Sequence, residues 1–290
     1  MSFKQINVGE SAGERLVQHL NSVVGTNLRG NYTIAVLGGK GGAGKTVTTA
    51  AVGSMFKSQR SDPVVAIDAD PAQAANLASR IDPKSASVRE IIADDNLLRY
   101  SDVRSYTGKN AAGLDVVASP RHASSSGPSI TPEEFSCGHN RLQRFYNLLL
   151  VDCGVDLDHP VMPEVLGHAD TIVMVASAVP DGAVGASTNF EWLHQAGYQQ
   201  LLSRMVLVLN HIRSSTSRRD KKATRQLVAT LIEHFSRWVP PERIFEVPFD
   251  PHIATAGIVE LDALKPATRR RVLEVSAALA SGFSSTTDQR

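Results

Sequence analysis

The residues best equipped for chemistry lie together in GGKGGAGKT, Gly38 to Thr46. From Gly39 onward the stretch fits the phosphate-binding pattern GxxxxGK[ST]. Glycines allow a tight wrap whose backbone N–H groups turn inward onto phosphate oxygens, at the positive end of the helix that follows. Gly39, Gly41, Gly42, Ala43 and Gly44 form the wrap, Lys45 neutralises β- and γ-phosphates, Thr46 offers its hydroxyl to Mg²⁺, and Val47 completes the nucleotide-binding stretch. Lys40 is superfluous to the pattern, because one lysine suffices for the phosphates. A metal-bound nucleotide also needs acidic partners at the ends of other buried strands. VVAIDAD supplies Asp68 and Asp70, and NLLLVDCG supplies Asp152. Asp152 suits Mg²⁺ held through a water, while Asp68 and Asp70 suit a metal and the placing of an attacking water. No nucleophile–base set and no metal-spaced histidine group competes with this reading. Phosphoryl transfer to water asks for positioning rather than covalent chemistry.

These residues need a sheet to hold them. Short apolar runs (YTIAVL, VVAID, LDVVAS, YNLLLVD, TIVMVAS, MVLVLN, IFEVP) alternate with helical stretches, among them one from Lys45, one from Pro71 and one near Ala186 to Gln195. The runs lack the in/out alternation of a half-exposed strand, as a parallel sheet covered on both faces requires. The fold class expected is α/β: a P-loop NTPase with a doubly wound, mostly parallel sheet and helices on both faces. Residues 1–29 read as an N-terminal helical extension, with Leu16, Val17, Leu20, Val23 and Val24 at helical spacing before Gly25; residues 30–283 read as the P-loop domain and residues 284–290 as a polar tail. Arg121 to Pro132, rich in serine, reads as a mobile loop.

Of the 290 residues, 42% are hydrophobic and 20% charged, with 30 basic against 29 acidic side chains. Such a balance excludes any whole-chain affinity for nucleic acid or membrane and leaves only local patches. Two cysteines, Cys137 and Cys153, make no disulfide framework, and neither a signal peptide nor a membrane-spanning run stands out. The expected location is cytoplasmic.

GKGGAGKT with its early Lys40, then IDADP, then LLVDCG, resembles the deviant Walker A ATPases of the MinD/ParA family, over Tyr32 to Phe283. The resemblance implies ATP and Mg²⁺ as ligands, and a homodimer closed face to face over two nucleotides. It gives Lys40 a role on the partner's phosphates, comparable to an arginine finger. It makes Lys40, Lys45 and Asp70 the catalytic set, with Asp70 orienting the hydrolytic water, and Asp68 beside the metal. It assigns Asn210 to the adenine, with Pro248 and Asp250 bordering the base. A narrower resemblance, through RFYNLLLVDCG, EWLHQAGY, VLNHI and PHIA, is to the ATPase domain of EspI-type proteins of ESX (type VII) secretion systems, which implies secretion-system components as partners.

The family serves other ends, and two alternatives stay open: a ParA-like DNA-partitioning ATPase, and a nucleotide-binding scaffold that does not hydrolyse. Arg218, Arg219, Lys221 and Lys222 gather at the start of a helix, where the dipole disfavours cations, so they are candidates for a polyanion such as DNA. The last helix follows Arg269, Arg270 and Arg271 and is rich in Val and Ala, a poor inserting face. It is read as packed on the domain rather than bound to a membrane.

Overall fold

The computed structural model describes residues 11–72, 75–120, 129–214 and 217–283. The first ten residues, most of the serine-rich segment of the expected loop and the polar tail lie outside them. From the N-terminus the order is α1 (Ala12–Val24), β1 (Tyr32–Gly38), α2 (Lys45–Gln59), β2 (Val64–Ala69), α3 (Leu77–Ile81), α4 (Val88–Ala93) and α5 (Tyr100–Arg104). Next come β3 (Gly108–Lys109), β4 (Asp115–Val117), α6 (Pro132–Leu142), β5 (Leu148–Cys153), α7 (Val161–His168), β6 (Thr171–Ser177) and α8 (Pro180–Gln195). The chain ends with α9 (Gln199–Arg204), β7 (Val206–Asn210), α10 (Arg218–Phe235), β8 (Ile244–Val247), α11 (Pro251–Ala254) and α12 (Pro266–Ala280).

The strands form one sheet in the order β3-β4-β2-β5-β1-β6-β7-β8. Every pairing is parallel except that of β3 with β4. Alternate residues of each strand enter separate cores, which explains the unbroken apolar runs. Leu149 and Val151 join Phe135, Phe190 and Phe235 under α4 and α6 to α10, while Leu148 and Leu150 join Phe56, Leu273 and Phe283 under α2, α3 and α12. Each such buried aliphatic or Phe side chain contributes roughly 1.5–3 kcal/mol. The helices therefore cover both faces, as a doubly wound sheet requires.

The expected N-terminal helix is present, capped by Ser11 and Glu14 in a reciprocal box. It packs along α12, and Arg60 fastens its end by donating to the carbonyls of Val24 (2.9 Å) and Thr26 (2.6 Å). Val272, Leu273, Val275 and Leu279 of α12 are buried, so the last helix packs on the domain. Among the described residues no helix is long and apolar enough to cross a membrane.

Two helix starts differ from the sequence reading. The helix expected from Pro71 begins at Leu77, whose N–H is held by Asp68 (3.0 Å); upstream of it the carboxylate of Asp70 accepts the N–H of Ala72 (2.9 Å) in a local turn. The helix expected near Ala186 starts at Pro180, where the fixed φ of proline suits a first helical residue.

Candidate functional site

The phosphate loop leaves the end of β1 and enters α2 through two left-handed glycines, Gly42 (φ 76°) and Gly44 (φ 101°). No side chain caps the N-terminus of α2. The free N–H groups of its first turn therefore offer the fixed positive pole that anions occupy. Asn210, at the end of β7, braces the loop from outside: its Nδ2 donates to the carbonyl of Ala43 (2.9 Å). A Cβ on Gly44 would stand 2.3 Å from that same nitrogen, so Gly44 is required by space as well as by φ. Gly39 packs directly on α8, where a Cβ would come within 2.1 Å of the Gly185 backbone.

Parallel pairing of β2 with β5 sets Asp68 opposite Asp152, both 1% exposed, behind the loop. Burial raises the Asp152 carboxyl to about 6, opposed by the Thr46 hydroxyl and the Lys45 charge. Thr49 also donates to Asp152, at 3.2 Å. Burial and the neighbouring charge of Asp152 hold Asp68 well above the usual carboxylate range, although it accepts the N–H groups of Leu77 and Asp70. Two buried carboxylates side by side are costly unless a cation is shared between them. Among the described residues no cluster of three or more His, Cys, Asp or Glu side chains could hold a metal alone. Thr46 and Asp152 supply hard oxygen atoms that fit Mg²⁺, which is ordinarily held by one or two protein ligands with phosphates and water completing its shell.

A cavity of about 540 Å³ opens in front of the loop. Gly41, Gly42, Gly44, Lys45, Thr46 and Val47 line the end at the loop, Asp70 one side, and Asn210, Pro248 and Asp250 the other end. The volume suits a nucleotide-sized ligand. Of the other expected residues, Gly39 is packed on α8, Ala43 gives its carbonyl to Asn210, and Asp68 and Asp152 lie beneath the cavity. Asp250 is 3% exposed and its carboxylate accepts the N–H groups of His252 (3.0 Å) and Lys265 (2.8 Å), so it shapes that end of the cavity by capping α11. Lys40 does not line the cavity. Its ammonium lies 3.1 Å from Asp181 at the start of α8, and both side chains are more than half exposed.

Arg218, Arg219, Lys221 and Lys222 occupy the first turns of α10, capped by Ser217 and Asp220. All four are exposed, and they follow β7 at the same sheet edge as the phosphate loop. Sequence reasoning overlooked Gly185, Arg80, His211 and Phe249. Gly182 and Gly185 stand inside a helix, where each glycine costs roughly 1 kcal/mol relative to alanine; that cost is the signal of a close backbone approach. Arg80, His211 and Phe249 line the cavity but carry no spacing signal, since folding alone brings them there.

Residues 34–258 match the CobQ/CobB/MinD/ParA nucleotide binding domain. The chain is 40% identical over 283 residues to the ESX-1 secretion-associated protein EspI of Mycobacterium tuberculosis strain H37Rv, covering 97% of this chain and 41% of that protein. It thus spans about two fifths of the length of the curated relatives it matches. In fold it is similar to the MinC:MinD cell division protein complex of Aquifex aeolicus, with a TM-score of 0.63, 16% identity, and coverage of 86% of this chain and 96% of that chain. A ParA family ATPase from Chlorobium tepidum TLS gives 0.62, 20% identity, and 85% and 98% coverage. These two likenesses concern the fold alone.

Proposed function

The chain belongs to the CobQ/CobB/MinD/ParA nucleotide-binding family, and on that premise we propose that it is a Mg-ATP-dependent switch ATPase that dimerises on ATP and serves type VII (ESX) secretion. One observation carries the reading: an uncapped α2 N-terminus with Lys45 and Thr46 faces the same cavity as Asp70, with Asp152 directly behind. In this reading Lys45 and the loop N–H groups hold the β- and γ-phosphates, Thr46 and Asp152 hold Mg²⁺, and Asp70 orients the attacking water. The metal, when bound, neutralises charge on the phosphate oxygens. Asn210 and the Pro248–Asp250 segment take the adenine.

Lys40 supports a two-chain site. It does not line its own cavity, and its salt bridge to Asp181 is exposed, worth roughly 0–1 kcal/mol and readily exchanged for a phosphate of a second chain. Val155, Val184 and Ile212 expose apolar surface at 43%, 68% and 40%, and Val155 and Ile212 border the cavity mouth. The secretion role rests on the 40% identity to EspI. Phosphate release from Mg-ATP tests the enzyme. The wild type is expected to turn over slowly, Lys45→Ala to lose nucleotide binding, and Asp70→Ala to bind ATP while releasing phosphate at least about 100-fold more slowly. Release at background level, unchanged by Asp70→Ala, would favour the non-hydrolysing scaffold.

A second reading, DNA binding in the manner of a partitioning ATPase, is favoured by the exposed cations in the first turns of α10. It requires salt-sensitive retention of DNA by the ATP-bound protein, lost when Arg218, Arg219, Lys221 and Lys222 are neutralised together. Retention unaffected by these changes removes that reading.

A further inference from the structure

Arg80 has no part in the chemistry above, yet it lines the cavity and connects two of its walls. Its Nη1 donates to the carbonyls of Thr255 (2.6 Å) and Gly257 (3.2 Å), and its own carbonyl accepts the N–H of Val259 (2.9 Å). Gly257 has φ 130°, a backbone conformation that side chains strain, and it bends the segment around the guanidinium. Residues 255–259 continue directly from Phe249, Asp250, Ile253 and Ala254, which form the base-side wall of the cavity. Arg80 is thus a staple on that wall.

Its other end is fixed to the opposite wall. Arg80 sits on α3, whose first residue, Leu77, donates its N–H to Asp68 (3.0 Å). The same carboxylate accepts the N–H of Asp70 (3.2 Å). A continuous hydrogen-bonded path therefore runs from the base-side wall through Arg80, α3 and Asp68 to Asp70. Bonds from a guanidinium are charge-assisted and stronger than neutral ones. Without them the base-side wall would have to be ordered by the ligand itself, at a cost to affinity.

We propose that Arg80 is a positioning residue for nucleotide recognition, holding the base-side wall against the segment that carries Asp70 so that discrimination between bases depends on this tie. The inference rests on the nucleotide-binding reading above. A purely structural staple would affect every ligand equally; a positioning residue acts through the base.

The test uses the full chain as wild type, Arg80→Ala, Arg80→Met and Arg80→Lys. Binding of Mg-ATP, Mg-GTP and Mg-tripolyphosphate is measured by calorimetry, with the melting temperature as the check on folding. Arg80→Ala is expected to weaken ATP about tenfold and to lower the ATP:GTP preference. Tripolyphosphate affinity should stay within about twofold of wild type. Arg80→Lys, which keeps the charge without the planar fork, should recover part of the preference. Arg80→Met, which keeps the stem and lacks donors, carries the same expectation as alanine should Arg80→Ala fail to fold. An unchanged ATP:GTP preference in a folded donor-less variant, or equal losses for ATP and tripolyphosphate, overturns the role of Arg80 and leaves the ATPase reading standing. A wild type that binds none of the three overturns both.

Discussion

Asp68 and Asp152 concentrate the cost of the site into two side chains. They face each other across neighbouring strands, both fully buried, and burial raises both carboxyls. Their positions were legible in VVAIDAD and NLLLVDCG because a run of apolar residues ending in aspartate places that aspartate at the C-terminal edge of a buried parallel strand. What the sequence withheld was their depth: the cavity is lined by Asp70, whereas Asp68 is turned beneath it to hold the N–H groups of Asp70 and Leu77. Asp152→Asn removes one charge from the buried pair. Above about pH 6, where Asp152 is ionised, the substitution is expected to raise the melting temperature of the nucleotide-free protein, by about 2–4 °C for each kcal/mol of relieved burial and repulsion, while losing Mg²⁺-dependent phosphate release. A thermal scan of both proteins in EDTA checks the first half, and a lower melting temperature in the variant would show that the pair is not under electrostatic strain.

At the scale of elements, the phosphate loop is held by its neighbours as much as by its own glycines. Asn210 of β7 holds one side through Ala43, and α8 holds the other through the Gly39–Gly185 approach. A Cβ on Gly185 would lie 2.3 Å from the Gly39 carbonyl oxygen, inside any permitted contact. Gly185→Ala is expected to displace the loop and weaken ATP at least about tenfold, with the sheet intact by circular dichroism. Wild-type affinity in that variant would mean that α8 does not position the loop. The strands β1, β2, β5, β6 and β7 were readable as continuous apolar runs. The two-residue β3 was not, since Gly108–Lys109 carries no pattern and meets β4 through a turn in which Asn110 accepts the N–H groups of Gly113 (2.9 Å) and Leu114 (3.0 Å). Helix α3 starts at Leu77 rather than at Pro71, and Asp68 holds its first N–H (3.0 Å), a long-range bond that the sequence pattern does not show.

Over the whole molecule, the two cores are spent on a rigid sheet whose C-terminal edge carries everything reactive. The cavity lies there, with exposed Val155 and Ile212 in its lining, and the Lys40–Asp181 pair joins the loop after β1 to the start of α8. At the opposite side of the fold α1 lies on α12, fastened by Arg60, so that the last helix has a partner within the chain. In the proposed switch, the C-terminal edge would exchange partners with the nucleotide while the body stays fixed. Lys40 is the residue on which the proposed dimer turns, because it does not line its own chain's cavity and pairs with Asp181 at an exposed position. The direct measurement is the molar mass of the Asp70→Ala protein by light scattering, in Mg-ATP and in Mg-ADP, with and without Lys40→Ala. A dimer in Mg-ATP alone, returned to monomer by Lys40→Ala, is the predicted result. A monomer under every condition, or a dimer indifferent to nucleotide and to Lys40, would contradict it.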